Sequence, residues 1–147
     1  MLPKAVEPGE PGDWLRHAWS DLDLARVGRN SRILLEDLCF HAQQAAEKAL
    51  KAVLVFRSVP FPKTHNIRTL MDFLPEDVNL QEEAKEAAIL TDYAVLTRYP
   101  GDLEPVTEEE YLEAIRIAET MVQWAEKIIK CHGKGIRKDF FPGCLPH

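Results

Sequence analysis

The stretch RILLEDLCFHAQQAAEKALKAVLVFR, residues 32–57, runs for 26 residues without proline or glycine. Within it Leu35, Leu38, Ala42, Ala45, Ala49, Ala52 and Phe56 recur at alternating steps of three and four, the period of one apolar helix face. This predicts one long helix from about Arg32 to Arg57. Its stripe is rich in alanine, which leaves little side chain between helix axes, so partner helices can approach near the short end of the usual spacing of about 8–10 Å.

Working outward, residues 3–12 carry three prolines and two glycines and read as a flexible lead-in over residues 1–12. Asp13 is placed to cap a first helix whose apolar positions are Trp14, Ala18, Leu22 and Ala25, and Gly28 to Ser31 reads as a turn. On the other side Val59-Pro60-Phe61-Pro62 ends the long helix, and Thr64 or Asn66 caps a short helix reaching Phe73. A further helix is expected over residues 80–97, with Glu82 and Glu83 at its positive end, broken by Arg98-Tyr99-Pro100-Gly101. Thr107 and Glu110 then form a capping box for a last helix on Tyr111, Ile115, Ala118, Val122, Ala125 and Ile129, with Gly133 as its stop. No alternating strand pattern occurs. The expected fold is all-α: an antiparallel four-helix up-and-down bundle over residues 13–130, with a short helix between the second and third long ones and an irregular tail over 131–147.

A chain of 147 residues and 16.8 kDa, 46% hydrophobic and 29% charged, is of a size and composition to form one domain with its own core. Its net charge of −6 argues against coating nucleic acid by bulk electrostatics. Cys39, Cys131 and Cys144 form no CxxC pair, which suggests neither a disulfide framework nor a cysteine zinc site and fits a reducing cytoplasm. No signal peptide is recognisable, and no apolar run approaches the roughly 20 residues of a membrane span.

Three groups of residues could carry chemistry. His41, Gln44 and Lys48, at spacings of three and seven, share one face of the long helix and could bind a phosphate, a nucleotide or an acidic partner. The same stripe also fits an ordinary solvated flank, with Gln43–Glu47 and Gln44–Lys48 as helical neighbours. Tyr93, Arg98 and Tyr99 gather an arginine and two aromatic rings near a rigid proline turn, suited to a planar or anionic ligand, although Arg98 also suits the helix end as a cap. His17, His41 and His65 fall on three elements, but no HExxH or ExxH pair supports a metal site, and Cys39 beside the apolar stripe reads as an inert buried thiol. No cofactor is called for.

Three blocks of sequence resemble the HEPN domain, the higher-eukaryote and prokaryote nucleotide-binding domain. Cys39 to Ala52 (CFHAQQAAEKALKA) is similar to its second helix, Pro62-Lys63-Thr64-His65-Asn66-Ile67 to the start of its short helix, and Tyr93 with Thr97-Arg98-Tyr99-Pro100 to its Tyr…[Ser/Thr]-Arg-Tyr-Pro segment. The resemblance implies a helical bundle, commonly dimeric, often paired with a minimal nucleotidyltransferase in toxin–antitoxin-like systems. On that footing Lys48 and Arg98 are expected to contact phosphate, His41 and Gln44 base or ribose, and Tyr93 and Tyr99 to stack; His65 joins the set, though its position equally suits the capping turn of the short helix. Other members of the family are metal-independent ribonucleases with arginine followed after four to six residues by histidine. Here eight residues separate Arg32 from His41 and seven separate Arg57 from His65, so that motif is missing. The expectation is therefore a dimer that binds a nucleotide, RNA or a nucleotidyltransferase partner; the alternative is an endoribonuclease using Arg98 with a noncanonical histidine.

Overall fold

The computed structural model describes residues 9–28, 32–80, 82–85 and 105–132. Every regular element among them is a helix: α1 (Pro11–Ala25), α2 (Leu35–Phe56), α3 (Ile67–Met71), α4 (Glu82–Lys85) and α5 (Glu108–His132). The third long helix expected over residues 80–97 lies, beyond Lys85, outside the described residues, as do Tyr93, Arg98 and Tyr99.

α1 begins at Pro11, two residues before the expected start. Proline is tolerated there because the first N–H groups of a helix have no internal partner. Asp13 is accordingly not the cap but the third helical residue, and its carboxylate accepts from the Glu10 N–H at 3.2 Å. That bond, followed by the Arg16 guanidinium, holds the Asp13 carboxyl below the usual carboxylate range. α2 starts at Leu35 rather than Arg32, and its predicted stripe from Leu35 to Ala52 is fully buried.

The end of α2 is set one step before the prolines. Ser58 adopts a left-handed backbone with φ 59°. Its N–H donates to the Val55 carbonyl at 3.0 Å, and the Val59 N–H reaches back to the Leu54 carbonyl at 2.9 Å. These are the two bonds of a Schellman stop, built on serine where glycine is usual. The reversal sends residues 59–66 back along α2. Asn66 then caps α3, its side chain accepting from the Thr69 N–H at 3.1 Å. Thr107 and Glu110 form the expected capping box of α5, with both reciprocal bonds at 3.0 Å.

Side-chain pairings fix the directions of the three long helices. Asp21 of α1 meets His41 and Lys48 of α2, whereas Trp14, two turns earlier, lies against Lys51, so α1 and α2 are antiparallel. Trp19 donates to Glu126 and Arg26 to Glu119, so α1 is antiparallel to α5 too. Between them Ala18 and Ala25, Ala42, Ala45, Ala46, Ala49 and Ala52, and Ala114, Ala118 and Ala125 are completely buried, as close approach of three helices requires. Cys39 lies in this core, consistent with an inert thiol. Trp124 ties the chain before α4 to α5 by donating to the Asn79 carbonyl at 2.7 Å.

Tyr111 locks the opposite end, its hydroxyl donating to the Ala25 carbonyl in the last turn of α1 at 2.5 Å. Burial pushes its phenol above the ordinary value of 10.0. A phenol whose pKa is raised by folding contributes stability that is complete below the unfolded value and lost as pH rises through the folded one. Tyr111→Phe should cost about 1 kcal/mol at neutral pH and weaken the fall in stability above about pH 10, both measurable by urea unfolding. Ser58→Gly should stabilise the protein by roughly 0.5–1 kcal/mol, because it removes the Cβ from a left-handed residue.

Candidate functional site

The polar stripe of α2 faces neither open solvent nor the apolar core. It packs against α1 on one side and the 59–66 connection on the other, and each side holds a carboxylate, a lysine and a histidine.

On the α1 side Asp21, itself buried, accepts from Lys48 Nζ at 2.7 Å and lies 3.1 Å from His41 Nδ1. Lys48 and His41 are both half-buried there, and the His41 ring meets the exposed Phe40 edge-on at 5.6 Å. The charge of the Lys48 ammonium, expected to serve a phosphate, is thus already balanced by Asp21.

On the other side the carboxylate of Glu47 is only 2% exposed. Lys51 Nζ donates to its Oε2 at 2.8 Å, His65 Nδ1 lies 2.9 Å from the same oxygen, and the side-chain amides of Gln43 and Gln44 each donate to Oε1 at 3.3 Å. Gln43 also donates to the main-chain carbonyl of His65 at 3.0 Å, which anchors the connection independently of the imidazole. Lys51 runs beneath the rings of Trp14 and Phe61, with its ammonium 5.5 and 6.0 Å from their centres. Those quadrupoles add attraction to the ion pair. The His65 ring, in contrast, is 73% exposed.

The expected residues therefore divide. His41 and Lys48 converge on Asp21, and Gln44 and His65 on Glu47, while His17 is exposed on α1. Among the described residues no group of three or more His, Cys, Asp or Glu side chains is placed to hold a metal, and no helix is long and apolar enough to cross a membrane. Asp21 and Lys51 escaped the sequence reading, and Gln43 and Glu47 entered it only as helical neighbours on a solvated flank. The available signal was Gln43–Glu47–Lys51 at successive four-residue steps beside an alanine stripe, which puts polar groups next to a buried face.

The HEPN domain model matches residues 12–128. The chain belongs to the HEPN family. Two solved structures are similar along most of their length: TT1696 from Thermus thermophilus, 32% identical with a TM-score of 0.66 over 80% of this chain and 96% of that one, and ST0689, described as an archaeal HEPN homologue, 30% identical with a TM-score of 0.67 over 84% and 100%. A protein of Methanocaldococcus jannaschii bearing the name "Putative toxin MJ1304" is 25% identical over 133 residues, 80% of this chain and 86% of its own. In this HEPN domain, the second-helix and short-helix blocks that suggested the family meet at Glu47 and His65.

Removing one partner from a buried ion pair strands the other. Glu47→Ala should lower stability by about 3 kcal/mol or more, and the double variant Glu47→Leu/Lys51→Met should lose less than Glu47→Ala in urea unfolding.

Proposed function

We propose that this HEPN domain dimerises and acts as one half of a toxin–antitoxin-like pair, binding a nucleotide and/or a minimal nucleotidyltransferase partner at the face formed by α2 and residues 59–66. One observation carries this reading: a fully buried carboxylate is used to hold a solvent-facing histidine ring. Taking a carboxylate out of water costs several kcal/mol, and the connection is already anchored by Gln43. The imidazole is thus presented outward for a ligand rather than needed as a strap.

Three further points support it. Lys63 and Arg68 are exposed on either side of His65 in sequence and supply cations suited to a phosphate, a role Lys48 fills less well beside Asp21. His41 and Gln44 remain partly accessible on the neighbouring turns of α2, within reach of base or ribose. The relative whose name contains "toxin" aligns along most of both chains. Tyr93, Arg98 and Tyr99 complete the proposed set, for stacking and phosphate contact.

A second reading, a metal-independent endoribonuclease, is favoured by the same histidine. Its Nδ1 rests on a carboxylate, as in proton-transfer pairs where an acid orients an imidazole. In that reading Arg98 steadies the phosphate and His65 moves the proton.

Thermal unfolding with a panel of nucleotides, in parallel with RNA incubated in chelator, separates the two. A ligand at 100 times its Kd should add about 2.7 kcal/mol, a shift of several degrees for a domain of this size. A shift without RNA cleavage, abolished by Arg98→Ala, is the expected result. Cleavage in chelator favours the ribonuclease. A stable dimer with neither response overturns the nucleotide and ribonuclease readings and leaves a protein partner for this face.

A further inference from the structure

The geometry points to a chemical preference that rests on the nucleotide reading: we propose that Glu47 fixes the tautomer of His65 so that Nε2 accepts a hydrogen bond from a ribose hydroxyl of the bound nucleotide. Glu47 is the positioning residue and His65 the contacting one.

The assignment follows from which groups can donate. The Glu47 carboxylate faces Lys51, Gln43, Gln44 and His65 Nδ1. An ammonium and an amide N–H₂ can only donate, and a carboxylate so surrounded can only accept. The hydrogen between His65 and Glu47 therefore sits on Nδ1. In the neutral imidazole a proton on Nδ1 leaves the Nε2 lone pair free. Among the described residues no protein group bonds to Nε2, and the ring that carries it is largely exposed.

The Lys51 charge makes this arrangement self-sufficient. Lys51 and Glu47 balance one another at 2.8 Å, so the buried carboxylate does not depend on a charged His65. A neutral ring with its lone pair outward selects a donor. Among the parts of a nucleotide, phosphate oxygens offer none; the bases offer N–H donors whose positions differ from base to base, whereas the ribose hydroxyls offer donors at the same place in every ribonucleotide. The neighbouring cations, Lys63 and Arg68, suit the phosphate that His65 in this form does not.

Binding of AMP, GMP, CMP and UMP, each beside its 2′,3′-dideoxy counterpart, tests the preference by calorimetry, and nitrogen-detected NMR of the histidine rings at about pH 8 tests the tautomer. The expected result is a ribonucleotide that binds roughly three- to tenfold more tightly than its dideoxy form, as one hydrogen bond allows. His65 should carry its proton on Nδ1, its Nε2 resonance should move on ribonucleotide addition, and His65→Ala should bring the ribonucleotide and dideoxy affinities to the same value. Glu47→Gln should return the ring toward the Nε2–H tautomer and reduce the preference; if that variant does not fold, the wild-type spectrum and His65→Ala decide. Equal binding of both forms, or a wild-type ring with a proton on Nε2, overturns the inference and leaves nucleotide binding standing. Failure of every nucleotide to bind overturns both.

Discussion

The Glu47 carboxylate has to be satisfied inside the protein, and the architecture around it follows from that constraint. An ion held out of water needs good geometry and a partner for each lone pair, or its burial costs more than the pairing returns. Four donors meet the requirement, three from α2 itself and one from a residue eighteen positions later in the chain. The three local donors are available because Gln43, Gln44 and Lys51 lie three or four residues from Glu47, the separation at which helix side chains meet. The fourth is available only if the chain turns back sharply after α2. Ser58 in its left-handed conformation and the two bonds around it make that turn. A local backbone choice at the end of one helix thus determines whether His65 is beside Glu47 at all.

The alanine stripe and the polar cluster belong to the same design. Complete burial of Ala42, Ala45, Ala46, Ala49 and Ala52 lets α1 and α5 close on α2 from two sides, which leaves Glu47 and Gln43 no route to water even though they sit at the edge of the stripe. Larger residues at those alanines would hold the helices apart and let solvent reach the carboxylate. Trp14 contributes from α1 and Phe61 from the returning connection, both against Lys51, so the ammonium lies near two rings that come from different parts of the chain. Close packing is therefore what gives the cluster its low exposure, and the cluster in turn joins α2 to the connection that carries the histidine.

Much of the fold was legible because helix periodicity is a local property. The Leu35 to Ala52 stripe, the Thr107–Glu110 box and the Asn66 cap can each be read from spacing and residue type, and each is present. Starts were less legible: proline reads as a breaker, yet at Pro11 the first turn has no bond to lose. The site was legible only in part, for a different reason. His41, Gln44 and Lys48 stood out as a polar row, but whether such a row is wet or paired depends on what faces it, and Asp21 lies twenty residues before His41. Gln43 and Glu47 read as ordinary helical neighbours at four residues' separation. What turns them into a buried pair is the approach of Trp14 and residues 59–66, which no local pattern encodes. Tyr93, Arg98 and Tyr99 fall outside the described residues, and their part in the site stays with the proposal.

The two histidine clusters are built from the same three residue types, and their differences assign them different work. In each, a lysine balances the carboxylate and a histidine Nδ1 lies on one of its oxygens. At Asp21 the imidazole is 34% exposed and stands edge-on to Phe40, so pairing joins α1 to α2 and leaves less of the ring for a ligand than at Glu47. At Glu47 the carboxylate is the more deeply buried of the two while the imidazole is the more exposed. A purely structural contact gains most when both partners leave water together, because the low dielectric strengthens the bond and packing adds to it. The Glu47–His65 pair does the opposite: one end is driven inward at a cost, the other is kept in solvent at a fixed orientation. That separation suits a group that must meet something from outside, and it gives His65, rather than the more conspicuous row on α2, the central place in the proposed site.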